Sequence, residues 1–228
     1  MVLAHLVVPA ARDKKTEAEL RELMSNLSRF RDLQVQQYLL SNLPNLKETG
    51  SEIWQELAYL EFRTRPQLIN KLKNFPLKRI QKRIEGLAAR LGPGPLSPSL
   101  MRLSTKRLVR FFDQAHDELR LLGSRIEPQR PETIHRLRVA FKKYRYLAEA
   151  VAPLRLNPDE RGMAKMHELQ GLMGDIQDLW VLGRRLRDRP YPADGLLESI
   201  NRALRVRIDS FLPRLADLES FKIYLKNV

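Results

Sequence analysis

The chain has 228 residues, 43% of them hydrophobic and 30% charged, enough apolar material for a packed core in one large domain or two small ones. Its 41 Lys and Arg against 27 Asp and Glu leave a net charge of +14, so an anionic partner is expected: a nucleic acid, a phosphate polymer or an acidic membrane surface. The absence of cysteine excludes disulfides and thiolate chemistry, and most structural zinc sites with them.

The opening Met1 to Pro9 is apolar, lacks a basic flank and is short for a signal peptide. No later run approaches the ~18 apolar residues of a membrane span. Both observations predict a soluble, cytoplasmic protein. Almost everything that follows has a helical apolar period, and strand-like alternation is hard to find. Pro44 to Gly50, Pro66, Pro76, Gly92 to Pro98, Gly123 to Pro131, Pro153 to Pro158 and Pro190 to Gly195 are the candidate breakers. The segments they separate predict an all-α chain of about eight helices. The Gly92 to Pro98 stretch is the strongest linker signal; it divides two bundles or is a long loop.

One segment occurs twice. Leu23 to Val35 lines up with Leu169 to Val181, with Leu, Asp-Leu and Val at matching places and a separation of 146 residues between Leu23 and Leu169. The second copy follows a basic helix. The first copy has only Met1 to Pro9 ahead of it, and that stretch carries none of the basic pattern. Either the chain begins inside a truncated helix, or one half of the duplication has lost it.

The basic helix is His135 to Tyr146. At about 100° per residue, Leu137, Phe141, Tyr144, Ala148 and Val151 share a face, which is the candidate core stripe. His135, Arg138, Lys142 and Arg145 share another, roughly a third of a turn away. Only Glu149 stands in register to neutralise any of these cations. A row of positive charge at fixed spacing suits a ligand that is a row of negative charge. Between Arg102 and Tyr146, 12 Arg and Lys stand against 5 Asp and Glu, so half the net charge lies in this region. No second histidine or carboxylate cluster accompanies His135, which argues against a metal. A solvated outer face is the competing reading for the row.

His135-x-x-Arg138-Val139-x-x-Lys142-Lys143-x-Arg145-Tyr146, followed by Leu169-Gln170-x-x-Met173-Gly174-Asp175-x-x-Asp178-Leu179, resembles the CHAD family, the conserved histidine α-helical domain. Leu23 to Val35, with Arg31-Asp32-Leu33, looks like the first-repeat form of the second motif. The resemblance runs from about residue 5 to the end. It implies duplicated antiparallel helical bundles, two four-helix-bundle-like halves around a basic central cleft. The expected organisation is a single CHAD-like unit over 1–228, with sub-bundles at roughly 1–122 and 131–228. The resemblance further implies non-catalytic binding of inorganic polyphosphate, with no cofactor and no metal. The missing first-repeat histidine helix departs from the family's pattern and puts half of the cleft's lining in question.

The candidate polyphosphate contacts are therefore His135, Arg138, Lys142, Lys143, Arg145 and Tyr146. Arg supplies a planar fork for phosphate oxygens and Lys a mobile point charge. Arg107 flanks the stripe Leu108, Ala115, Leu119, Leu122 and is a candidate for a cleft edge. Lys106 and Arg110 are candidates that point away from that stripe. Arg205 in the last long helix and Arg31 complete the set; for Arg31, as for Asp32 and Asp178, a local role such as a cap or an ion pair is the alternative. Trp54, Trp180 and Tyr144 read as core.

Two other function classes bear on the same residues. A nucleic-acid binder fits the charge, but aromatics are only 7% and no recognition-helix or RNA-binding signature is present. An enzyme acting on phosphate polymers would need a carboxylate-held Mg²⁺ or a Gly-rich cradle; there is no Walker motif and no Ser/His/Asp set. A scaffold at a polyphosphate granule or nucleoid surface would be a cellular form of the first reading.

Overall fold

The computed structural model describes residues 13–42, 49–91, 98–152, 160–188 and 194–225. Among them are seven α-helices: α1 (Lys14–Asn42), α2 (Thr49–Lys73), α3 (Leu77–Leu91), α4 (Pro98–Ser124), α5 (Pro131–Ala150), α6 (Glu160–Arg187) and α7 (Asp194–Phe211). A 3₁₀ stretch, Leu212–Phe221, follows α7. No strand runs through the described residues, and the fold is all-α. Met1 to Pro9, and the expected linker at Gly92 to Pro98 apart from Pro98 itself, lie outside the described residues.

Most breaks fall where turn chemistry places them. Asp13 stands just ahead of α1; its Oδ1 accepts 3.1 Å hydrogen bonds from the Lys15 and Thr16 amides, and the Thr16 hydroxyl donates to Oδ2 at 2.6 Å. These are the orphan donors of a first turn. Pro76 separates α2 from α3, and its carbonyl accepts from the Arg79 and Ile80 amides. Pro66 is the exception. It reads as a breaker, yet α2 runs through it. Proline removes one backbone donor, here the one that would reach the Phe62 carbonyl, and one missing bond among 25 residues is survivable.

The chain divides into two compact units. The first comprises Met1–Asn42 and Leu46–Ser104; the second comprises Leu43–Asn45 and Thr105–Val228, so the division falls inside α4. In the first unit α1 packs on α2. Its fully buried apolar side chains among the described residues are few: Leu40, Ile53, Leu57 and Ile80. Arg83 of α3 reaches back to Glu19 of α1 and lies 3.7 Å from Asp13. Trp54, expected in the core, is exposed on α2. Its indole leans outward because no described helix covers that face.

The second unit is better filled. α6 packs on α5 and on α7. All five stripe residues of α5 (Leu137, Phe141, Tyr144, Ala148 and Val151) are buried, as the helical period predicts. Phe112 of α4 meets Tyr144 edge-on at 5.7 Å, and Phe141 meets Phe221 at the same centroid distance. Trp180 is half-buried, with the Arg184 guanidinium 5.2 Å from its ring centroid. The two copies of the repeat are α1 and α6. Asp32 and Asp178 both sit in mid-helix, which removes the capping role considered for them.

Candidate functional site

The start of α5 is held by its own loop. Pro131 opens the helix, where a missing amide costs nothing. The Thr133 hydroxyl donates to the Arg130 carbonyl at 2.8 Å and accepts from the Glu127 amide at 3.1 Å. Thr133 is buried, so the first turn is pinned two residues before His135.

His135, Arg138 and Lys142 then follow at helical spacing on one side of α5, and all three are half-buried. His135 Nδ1 and Arg138 Nε are sealed from solvent yet have no hydrogen-bond partner among the described residues. Such atoms are uncommon, because an orphaned polar group costs about 1–3 kcal/mol. No carboxylate lies within ion-pair reach of Arg138, Lys142 or Lys143 among the described residues. Lys142 Nζ stands 5.7 Å from the Tyr146 ring centroid. Tyr146 itself is exposed.

Beside the row lies a cleft of about 650 Å³ within the second unit. Phe111, Gln114, Ala115, Glu118 and Leu122 of α4 form one wall. His135, Arg136, Val139, Ala140 and Lys143 of α5 form the other, with Tyr144 behind them. Lys143 Nζ sits 5.7 Å from the Phe111 ring centroid, at the cleft's edge. Arg136 lines this cleft as well; it lies off the arc of His135, Arg138, Lys142 and Arg145 but within about 20° of Lys143, so the helical period places these two cations on the cleft side together.

Arg145 has a different place from the other cations of the row. It is buried, its Nε donates to Gln170 Oε1 at 2.7 Å, and its Nη1 pairs with Glu149. His167 lies 3.0 Å from both that nitrogen and Glu149. The Tyr146 ring covers the guanidinium at 4.4 Å. Arg145 therefore ties α5 to α6, and its charge is already matched. Gln170, the polar residue of the second motif, supplies that tie. Leu169, Met173 and Leu179 of the same motif are buried, and Asp175 pairs with Arg207 of α7 at 3.4 Å.

The remaining candidates are dispersed. Lys106 and Arg110 are exposed on α4, and Arg107 is half-buried there. Arg205 is exposed on α7, and Arg31 is exposed on α1 in the first unit. His116 is buried, its Nε2 2.9 Å from the Leu218 carbonyl, a structural histidine. No group of three or more His, Asp or Glu side chains capable of holding a metal occurs among the described residues. No helix among them is long and apolar enough to cross a membrane.

No curated protein and no solved structure matches the chain. The family model of the CHAD domain matches residues 1–187, beginning slightly earlier than the motifs alone indicate and stopping at the end of α6. That match takes in both motifs and more than half of the chain, and the chain belongs to the CHAD family.

Proposed function

We propose that this protein binds inorganic polyphosphate, without catalysis, along the cationic side of α5. The observation that carries the reading is the state of that row. Among the described residues, Arg138 Nε is a donor held out of water with no acceptor and His135 Nδ1, one turn earlier, is in the same condition; no ion pair there joins Lys142 or Lys143 to a carboxylate. An atom sealed from water is equally sealed from a phosphate oxygen, so binding turns the half-buried Arg138 side chain outward, where a charge-assisted bond to phosphate contributes roughly 1.5–3 kcal/mol. His135 to Lys142 spans about 10 Å along the helix axis, enough to meet several successive phosphates of one chain. Family membership supports the same ligand class. The basic central cleft that the resemblance implies is carried in this proposal with α5 as a wall. A cytoplasmic site of action, at polyphosphate granules or the nucleoid, belongs to it as well.

The test is the double variant Arg138→Glu/Lys142→Glu. Binding of long-chain polyphosphate is measured by filter retention over a salt series. Counterion release predicts that log affinity falls linearly with log salt, by about 0.7 per phosphate neutralised on a flexible strand. The double variant should bind at least tenfold more weakly, with a slope shallower by roughly 1.4 for two lost contacts. Wild-type affinity in this variant would remove α5 from the site. Displacement of bound polyphosphate by an equal charge of single-stranded RNA would favour the nucleic-acid reading.

A further inference from the structure

The cleft between α4 and α5 has a chemistry that a bare phosphate polymer does not use. At about 650 Å³ it has the size of a site for one small organic molecule. Its walls are mostly apolar: Phe111, Ala115 and Leu122 from α4, Val139 and Ala140 from α5. Val139 is 54% exposed. Hydrocarbon walls offer nothing to a phosphate chain, and pressing its oxygens against them strips hydration without replacing it. They suit a ligand with an apolar body.

Charge states what else that ligand carries. At 100° per residue the cleft side of α5 runs Val139, Lys143, Arg136, Ala140 around the helix, within an arc of about 100°. Both cations thus lie between the two apolar side chains, on the wall itself, and both are exposed. Among the described residues neither is joined to a carboxylate. The side of α5 that carries Arg138 and Lys142 is about 110–150° away by the same arithmetic.

The two ends of the cleft differ. α4 and α5 follow one another through a short loop and run antiparallel, with Phe112 against Tyr144 at one end and Leu122 and His135 lining the other. Lys143 Nζ stands 5.7 Å from the Phe111 ring centroid at the first end. The carboxylate of the described lining, Glu118, lies two turns further along α4, roughly 10 Å away and towards Arg136. The Phe111 end therefore has a cation, an aromatic ring and no acid beside them.

We infer that this cleft binds a small amphipathic anion: a slender alkyl or aryl body lies against Val139, Ala140 and Ala115, and one phosphate or carboxylate head sits on Lys143 at the Phe111 end. Arg136 and Glu118 keep the far end polar, so the apolar body is about 10 Å long, on the order of eight carbons. One helix then presents two anion sites of different chemistry, a hydrophilic row and a half-apolar cleft, with Lys143 common to both. The inference does not rest on polyphosphate binding, because the apolar walls set the ligand class.

Isothermal titration calorimetry of the full chain with n-alkyl phosphates of four, six, eight and ten carbons, below their micellar concentrations, tests it. Affinity should rise roughly two- to fourfold per added methylene and level off near eight carbons. Inorganic phosphate at the same concentrations should give no saturable heat. Octanoate titrated in parallel distinguishes the head groups, and the tighter of octanoate and octyl phosphate identifies the one the site takes. Val139→Glu changes an exposed position, so helical circular dichroism should hold while octyl phosphate affinity falls at least tenfold. Lys143→Gln should weaken octyl phosphate about fivefold, and Arg202→Gln, which removes the same charge from α7, should leave it unchanged. An affinity independent of chain length overturns the inference, as does wild-type binding in Val139→Glu. Equal losses in Lys143→Gln and Arg202→Gln would reduce the attraction to overall charge, and overturn it too. Retention of long-chain polyphosphate by Val139→Glu should stay within a few-fold of wild type, so the cleft and the row can fail separately.

Discussion

Arg145 and Gln170 are joined by a 2.7 Å hydrogen bond from Nε to Oε1 that links the basic motif on α5 to the aliphatic motif on α6. With Glu149 and His167 on the other edge of the guanidinium, Arg145 is fully engaged inside the second unit.

Removing that guanidinium should act on stability more than on ligand. Arg145→Ala leaves Gln170 without its donor and the half-exposed Glu149 with His167 alone, which costs about 2 kcal/mol once solvent screening of Glu149 is allowed for. Thermal unfolding should move down by roughly 4–8 °C in a chain of this size. Polyphosphate affinity, measured well below that transition, should stay within a few-fold of wild type. A tenfold loss of affinity with unchanged melting would place Arg145 on the ligand instead.

Tyr144 holds the end of the chain onto the core. Its hydroxyl donates to the Phe221 carbonyl at 2.8 Å and accepts from the Ile223 amide at 3.2 Å, in a buried setting. Tyr144→Phe keeps the ring packed on Phe112 and leaves both backbone groups orphaned. The expected cost is about 1–3 kcal/mol, and amide exchange at Ile223 should speed up before that of α6. Unchanged exchange there would mean that the tail is held by its apolar contacts alone.

Acid should loosen the first unit. The Thr16 hydroxyl and amide, with Arg83 nearby, hold the Asp13 carboxyl below the ordinary carboxylate range. Hydrogen bonds from Arg65 and Gln37 do the same for Glu61. A carboxyl with a lowered folded-state pKa contributes stability that is present above its unfolded value, near pH 4, and is lost as pH falls through the folded value. Helicity of the first unit should therefore weaken below about pH 4. Asp13→Asn keeps the cap and removes that part of the pH dependence, while Asp13→Ala costs about 1 kcal/mol at neutral pH as well. Equal acid sensitivity in wild type and Asp13→Asn would assign the effect elsewhere.

The local features of this protein were legible in its sequence. Helical period is a property of neighbouring residues, so the apolar stripe of α5, the breaks at Pro76 and Pro131 and the identity of Tyr144 as a core residue could all be read without a fold. The repeat and the family motifs were legible for the same reason, since they are patterns along one strand of text. Pro66 was misread because proline has a strong local cost, and a helix of 25 residues carries enough other bonds to absorb it.

What only the tertiary structure decided is which members of a pattern are engaged. Arg138 and Arg145 lie on one side of one helix and are the same residue type. Arg145 is spent on Gln170 of α6 and on Glu149, while Arg138 Nε has no acceptor among the described residues. Arg136 became visible only when α4 formed the far wall of its cleft. Likewise, Trp54 and Ile200 hold matching places in a repeated sequence, and burial separates them. Periodicity along a chain states which face of a helix is apolar; it carries no information on whether another helix is present to cover it.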